Sequence, residues 1–100
     1  MAVVVINKAN FDEIIASDKP VLIDFYADWC GPCRMVSPLV DEIAEERQDI
    51  IVGKINVDEQ PDLAQQFGIM SIPTLVFMKN GEIVNKAVGY MPKEKILELL

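Results

Sequence analysis

The sequence predicts an α/β fold in which a mixed β-sheet lies between two layers of helices. Short β-branched segments alternate with helical patterns along the chain, which is typical of parallel strands joined by crossover helices. Two segments, Val21–Ala27 and Ile50–Val57, are apolar on both faces, as expected of central strands covered on both sides. The Asn80-Gly81 pair predicts a tight hairpin, which adds antiparallel strands.

The first half of the chain contains two strands and two helices in alternation. Val3–Ile6 is short and β-branched and predicts the first strand. Asn10 is a suitable N-cap for a short helix over Phe11–Ala16. After the strand Val21–Ala27, apolar residues recur at helical spacing and predict a long helix: Met35, Val36, Leu39, Val40, Ile43 and Ala44. Pro38 lies inside this pattern and is expected to kink the helix.

The second half begins with the strand Ile50–Val57. A helix is predicted over residues 61–67, with Pro61 in its first turn and Gly68 as its stop. Strands Thr74–Met78 and Ile83–Val88 then flank the hairpin turn. Pro92 opens a last helix with three residues placed to face the sheet: Ile96, Leu97 and Leu100. No linker divides the chain, so residues 1–100 are expected to form a single domain.

Composition and charge exclude several classes of partner. The 100 residues carry 16 acidic and 9 basic side chains, a net charge of −7, which repels nucleic-acid phosphates and anionic membrane surfaces. The apolar run 2–6 is shorter than the signal-peptide core of about 7–15 residues. No run approaches the roughly 18 apolar residues of a membrane span. We therefore expect a cytoplasmic protein with neither nucleic acid nor membrane as partner.

Both cysteines lie in the segment DWCGPCR, as Cys30 and Cys33. The predicted strand–loop–helix context puts Cys30 at a helix start, where exposed amides and the helix dipole favour a thiolate. Pro32 suits a first helical turn because its φ is preset. A disulfide across this corner is geometrically feasible but closes a very small ring, so it would add little stability. A redox function fits the pair better than a structural one.

Two other interpretations of the cysteine pair remain. A zinc or iron–sulfur site needs about four ligands, usually Cys or His. The chain has no His and no third Cys, so no metal is expected. The pair could also be inert, as two small buried hydrophobic side chains.

The segment WCGPC (residues 29–33) resembles the active-site motif of the thioredoxin family. Three further segments occur in that family's order and spacing: KINVDEQPDLAQQFGI, SIPTLVFMKNGE and VGY. The resemblance runs from Val3 to Leu100. It implies a thioredoxin fold, with a central five-stranded mixed sheet flanked by helices on both faces. It also implies a thiol–disulfide oxidoreductase that reduces protein disulfides.

The resemblance implies a role for each cysteine. Cys30 would attack a disulfide of a client protein, and Cys33 would resolve the resulting mixed disulfide and release the reduced client. No cofactor is expected, and a separate thioredoxin reductase would restore the dithiol. We expect a monomer. The Gly31-Pro32 pair resembles that of reducing members, whereas oxidising and isomerising members more often carry a His there.

Two charged residues interrupt the central strands. Asp24 is either a partly solvated acid or a functional one, since an unpaired buried charge is costly. Lys54 is either an exposed, snorkelling lysine or a functional partner. Counting by twos puts both on one side of the sheet. The resemblance implies that Asp24 lies beneath Cys33 and handles its proton, and that Lys54 tunes Asp24.

Several residues are expected to form a shallow apolar rim that contacts clients: Trp29, Gly31, Pro32, Ile72, Pro73, Val88 and Gly89. Trp29 is either a core residue or a flank of the site. Pro73 would by default follow a trans bond, but in the family the matching Ile-Pro bond is cis and leaves the backbone of Ile72 to pair with an extended substrate. Gly89 is either a simple bend or matches the family glycine that allows close approach.

The chain departs from the common family pattern at a few positions: Tyr26 (often Trp), Arg34 (often Lys), Met70-Ser71 before Ile72 (often with Gly), and Tyr90 after Gly89 (often smaller). The last three changes fall near the expected substrate surface and bear on partner choice. Two alternative functions remain. One is a disulfide oxidase or isomerase on the same scaffold. The other is a binding module whose partner uses the fold and not the thiols.

Overall fold

A computed structural model of the chain describes residues 3–100. It contains five strands and four helices in the predicted order: β1 Val4–Val5, α1 Phe11–Ile15, β2 Val21–Tyr26, α2 Gly31–Glu46, β3 Ile51–Asn56, α3 Pro61–Gln66, β4 Thr74–Lys79, β5 Glu82–Val88 and α4 Lys93–Leu97. The strands form one mixed sheet, so the predicted fold class is confirmed. No helix among the described residues is long and apolar enough to cross a membrane.

The sheet has the strand order β1-β3-β2-β4-β5. Strands β1, β3 and β2 run parallel, β4 is antiparallel to β2, and β5 is antiparallel to β4. Strand β2 lies at the centre and is buried up to its last residue, as its apolar pattern predicts. Asp24 of β2 and Lys54 of β3 are register partners on these neighbouring parallel strands.

Two apolar clusters cover the two faces of the sheet. Ile23 and Phe25 of β2 pack with Phe11 at the start of α1 and Leu63 of α3. Leu22, on the opposite face, belongs to the second cluster with residues of α2 and α4, among them Val36, Val40, Ile43 and Ile96. Alternate residues of β2 therefore contact different helical layers, which is the predicted arrangement.

The turn residues behave as their chemistry predicts. Asn80 and Gly81 have φ of +53° and +78° and join β4 to β5. Gly68 follows the end of α3 with a φ of +65°, a conformation that favours glycine. Pro92 occupies the N-cap of α4. Pro38 lies inside the continuous helix α2, and the kink expected there stays a prediction.

The predicted cap at Asn10 is wrong in its detail. Asn10 occupies the N-cap position of α1, but its side chain makes no capping hydrogen bond. Its Nδ2 donates to the carbonyl of Val5 at 2.9 Å, and its Oδ1 accepts from the amide of Asn7 at 2.8 Å. The side chain therefore ties the loop to β1, because contacts with the preceding strand compete with the local cap.

Candidate active site

Helix α2 begins at the cysteine pair. Cys30 is the N-cap residue, with an extended backbone (φ −89°, ψ 113°), and Gly31 and Pro32 form the first helical positions. The amide of Cys33 donates a 3.2 Å hydrogen bond to Sγ of Cys30. The sulfur thus takes the place of the oxygen that usually satisfies a free amide at a helix start.

Cys30 and Cys33 form a disulfide, with their Cα atoms 5.3 Å apart. Both residues are buried, at 4% and 3% exposure, and pack against Ala27 just beyond the end of β2. Sγ of Cys30 lies 3.8 Å from the carbonyl oxygen of Ile72. The structure therefore brings the two sulfurs to the carboxyl end of the central strand, where Tyr26, Val57 and Ile72 pack against their cluster.

The loop before β4 lies against the disulfide. The Ile72–Pro73 peptide bond is cis, as the family resemblance implies. Thr74 Oγ1 donates to the carbonyl of Ser71 at 2.6 Å, and the amide of Gly89 donates to the carbonyl of Pro73 at 2.8 Å. With a φ of +95°, Gly89 adopts a backbone conformation that side chains rarely allow. These contacts hold the loop and the end of β5 together at one edge of the site.

Trp29 is an exposed flank of the site and not a core residue. Its side chain is 67% exposed. Its Nε1 donates a 2.8 Å hydrogen bond to Oδ2 of Asp58. Asn56 stabilises the turn that contains Asp58, because its Oδ1 accepts a 2.9 Å hydrogen bond from the Asp58 amide. Asp58 was missed by the sequence analysis, although its position after β3, next to β2 in the sheet, puts it at the same sheet edge as the cysteines.

An apolar groove of about 370 Å³ lies beside Trp29 and Ile72, the residue whose carbonyl approaches Sγ of Cys30. Its lining comes from the loop before the cysteines, the end of β3, helix α3 and the loop before β4: Trp29, Val57, Ala64, Ile69, Met70, Ser71 and Ile72. The side chain of Met70 is 97% exposed at its lip. Met70 and Ser71 are predicted near the substrate surface, whereas no sequence signal points to Val57, Ala64 or Ile69.

Asp24 is a buried acid, which rules out the solvated interpretation. It is 3% exposed, and its Oδ1 has no hydrogen-bond partner within the described part of the chain. Burial raises the pKa of its carboxyl from 3.8 to about 7, since the charged form loses its hydration. The charge of Lys54 opposes this rise, and that of Asp41 adds to it.

Lys54 shares the Asp24 face of the sheet, as counting by twos predicts. Its side chain is half-buried, and its Nζ lies 5.5 Å from the centroid of the Tyr26 ring. Among residues 3–100, no group of three or more His, Cys, Asp or Glu side chains is placed to hold a metal ion.

Comparison with known proteins gives a single family. A family model described as Thioredoxin matches residues 2–100. The thioredoxin of Alicyclobacillus acidocaldarius subsp. acidocaldarius is 52% identical over 96 residues, which cover 95% of this chain and 91% of that protein. The thioredoxin of Pyropia yezoensis is 51% identical over 102 residues, covering 100% of this chain and 95% of that protein. The crystal structure of Malassezia sympodialis thioredoxin (Mala s 13) matches with a TM-score of 0.89 and 38% identity, over 98% of this chain and 88% of that one.

Proposed function

Because this chain belongs to the thioredoxin family, we propose that Cys30 and Cys33 reduce disulfides in client proteins with distinct roles for the two sulfurs. The chain is a thiol–disulfide oxidoreductase, and its redox-active centre is the disulfide Cys30–Cys33. The observation that carries the assignment of roles is the hydrogen bond from the Cys33 amide to Sγ of Cys30 at the start of α2. Amides and the helix dipole at this position stabilise negative charge on Cys30.

The proposed reaction proceeds in two exchanges. The thiolate of Cys30 attacks one sulfur of the client disulfide, forms a mixed disulfide and releases the other client sulfur as a thiolate. Cys33 then loses its proton and attacks Sγ of Cys30, which releases the second client sulfur. The client gains two electrons, its two sulfurs take up the proton released by Cys33 and one proton from solvent, and the pair Cys30–Cys33 is left oxidised.

We propose Asp24 as the proton acceptor for Cys33, directly or through a water. A general base works best when its pKa lies near the working pH, and burial brings the pKa of Asp24 to about 7. Asp24 also lies on the sheet face that α2 covers, since Leu22, two residues earlier, packs against α2 residues. Lys54 tunes this acid because its positive charge favours the carboxylate.

We propose that clients bind across the rim of the disulfide. The proposed rim residues are Trp29, Gly31, Pro32, Ile72, Pro73, Val88 and Gly89. Ile72 lies against Cys30, and Val88 is exposed at the end of β5, opposite Thr74. An extended client segment could pair with the backbone of Ile72 and present its disulfide to Cys30.

Members of this family act on disulfide-containing substrates and are reduced by a thioredoxin reductase. We propose that residues 1–100 act as one domain, since a single sheet carries both apolar clusters, and that the protein is a monomer. A reducing compartment such as the cytoplasm suits a dithiol that must donate electrons. The exchange passes electrons from sulfur to sulfur and therefore needs no cofactor.

Reduction of insulin disulfides, driven by dithiothreitol, tests the proposed function. We expect the protein to accelerate insulin precipitation and the Cys30→Ser/Cys33→Ser double variant to have no effect above dithiothreitol alone. A double variant as active as the parent would refute dithiol exchange and would favour a binding module.

A further inference from the structure

Asp24 and Lys54 lie opposite each other without forming an ion pair. They are register partners on neighbouring parallel strands, so their side chains leave the same face of the sheet. The ion pairs found among residues 3–100 join other side chains, and Oδ1 of Asp24 has no hydrogen-bond partner in that part of the chain. A buried carboxylate is strongly stabilised by a contacting cation, so this separation needs a cause.

The Tyr26 ring lies close to the ammonium of Lys54. Nζ of Lys54 lies 5.5 Å from the ring centroid, within the roughly 6 Å range of a cation–π interaction. Tyr26 follows Asp24 by two residues on β2 and therefore shares its face. The ring also packs against the cluster formed by Ala27, Cys30 and Cys33. One aromatic side chain thus contacts both the ammonium and the cysteine cluster.

We propose that Tyr26 is a positioning residue whose ring holds the ammonium of Lys54 away from Asp24, so that the buried carboxylate stays unpaired and available to the proton of Cys33. The availability to Cys33 rests on the role of Asp24 proposed above. The position of the ammonium does not depend on it.

The charges around Asp24 determine how the position of Lys54 affects the pKa of its carboxyl. Lys54 approaches from β3 and Asp41 from α2, while the β4 partner, Leu75, carries no charge. Held at the ring, Lys54 offsets only part of the desolvation, and the pKa of Asp24 stays near 7. Direct contact with the ammonium would lower that pKa and make Asp24 a weaker base.

The test removes the ring and follows the carboxyl of Asp24 by ¹³C NMR titration of the oxidised protein, in which the cysteines do not titrate. Tyr26→Leu removes the aromatic face, and Tyr26→Phe keeps it as the matched control. Each is measured alone and together with Lys54→Met. Tyr26→Met replaces Tyr26→Leu if the latter fails to fold.

We expect Tyr26→Leu to lower the pKa of Asp24 by about 1, because the freed ammonium moves onto the carboxylate. Tyr26→Phe should leave it unchanged, and Tyr26→Leu should no longer lower it when Lys54 is Met. An unchanged or raised pKa in Tyr26→Leu would overturn the proposal. So would a fall that persists with Lys54→Met, since that would reflect entry of water and not movement of Lys54.

Client reduction by the same variants separates this inference from the proposed function. Tyr26→Leu should slow insulin reduction severalfold more than Tyr26→Phe, and its pH–rate profile should shift to lower pH together with the pKa of Asp24. If the titrations follow the expectation while Asp24→Asn reduces insulin at the parent rate, the position of Lys54 is established and the proton-transfer role of Asp24 is refuted.

Discussion

The backbone amide of Cys33 donates a hydrogen bond of 3.2 Å to the sulfur of Cys30. The first cysteine therefore caps α2, and the second lies within its first turn. The two residues are almost equally buried, so exposure does not distinguish them. The helix start distinguishes them, because a free amide of the first turn donates to the sulfur of Cys30 and stabilises negative charge there.

The reduced protein should react with iodoacetamide at Cys30 before Cys33, since the thiolate is the reactive form and the helix start favours it at Cys30. Peptide mass spectrometry of samples quenched over time gives both rates. Cys30→Ser serves as the control and should show only the slow reaction of Cys33. Equal rates at the two sites would contradict the assigned asymmetry.

Asp24→Asn should stabilise the protein at neutral and alkaline pH. The pKa of Asp24 is raised from 3.8 to about 7 by burial, so the native state holds this proton more tightly than the unfolded state. Stability from the protonated acid is fully present below about pH 3.8, declines as pH rises to about 7, and is lost above that. The rise in pKa corresponds to roughly 4 kcal/mol at pH 8.

Denaturant unfolding of the parent and Asp24→Asn between pH 4 and pH 8 measures this effect. We expect a gain of a few kcal/mol at pH 8 and a much smaller one near pH 4. Glu45→Gln is a suitable control, since it removes an exposed acid of α2 that is not among the charges acting on Asp24, and it should change stability little at either pH. A variant less stable than the parent at pH 8 would show that the carboxylate of Asp24 is not destabilising there.

Asp58→Ala should weaken client binding because Asp58 accepts the hydrogen bond from the exposed indole of Trp29. We expect the KM for insulin to rise severalfold, while the free energy of unfolding falls by less than about 1.5 kcal/mol, as for one exposed hydrogen bond. Asp62→Ala removes the same charge from an exposed ion pair with Lys8 and should leave KM unchanged. Equal KM values for the two variants would show that the contact with Trp29 has no role in binding.

Gly89→Ala should both strain the backbone and impair client approach. An added Cβ would meet no atom within 4 Å, so the expected loss of about 1–2 kcal/mol comes from the φ of +95° and not from a clash. Gly81→Ala, with a φ of +78° and equally open surroundings, is the matched control in the hairpin turn at the far end of β4 and β5. Thermal unfolding should show similar losses, but only Gly89→Ala should slow insulin reduction. A similar effect of both variants on the rate of insulin reduction would show that Gly89 only shapes the backbone and has no role in client approach.

The parts of the fold that depend on local chemistry were predictable from the sequence. Asn80-Gly81 specifies its turn because both residues tolerate positive φ. The apolar pattern of Val21–Tyr26 identifies the central strand, because burial on both faces leaves no polar alternation. The cap at Asn10 was mispredicted because Val5, in a separate element, competes for its side chain.

The site was predictable where a motif or a period of two places its residues. The cysteine pair and the shared face of Asp24 and Lys54 belong to this class. The contact between Trp29 and Asp58 could not be predicted from the sequence, because it depends on how two turns separated by 29 residues meet at the sheet edge. Likewise, the interaction of Lys54 with Tyr26 depends on a side-chain rotamer that no sequence pattern specifies.

The central claim is that Cys30 attacks the client and Cys33 releases it. Mass-spectrometric mapping of the mixed disulfide that Cys33→Ser forms with insulin tests it most directly, with Cys30→Ser in parallel. We expect Cys33→Ser to accumulate a stable complex joined only through Cys30, and Cys30→Ser to accumulate none. A complex joined through Cys33 in Cys30→Ser, at a yield equal to that of Cys33→Ser, would contradict the account.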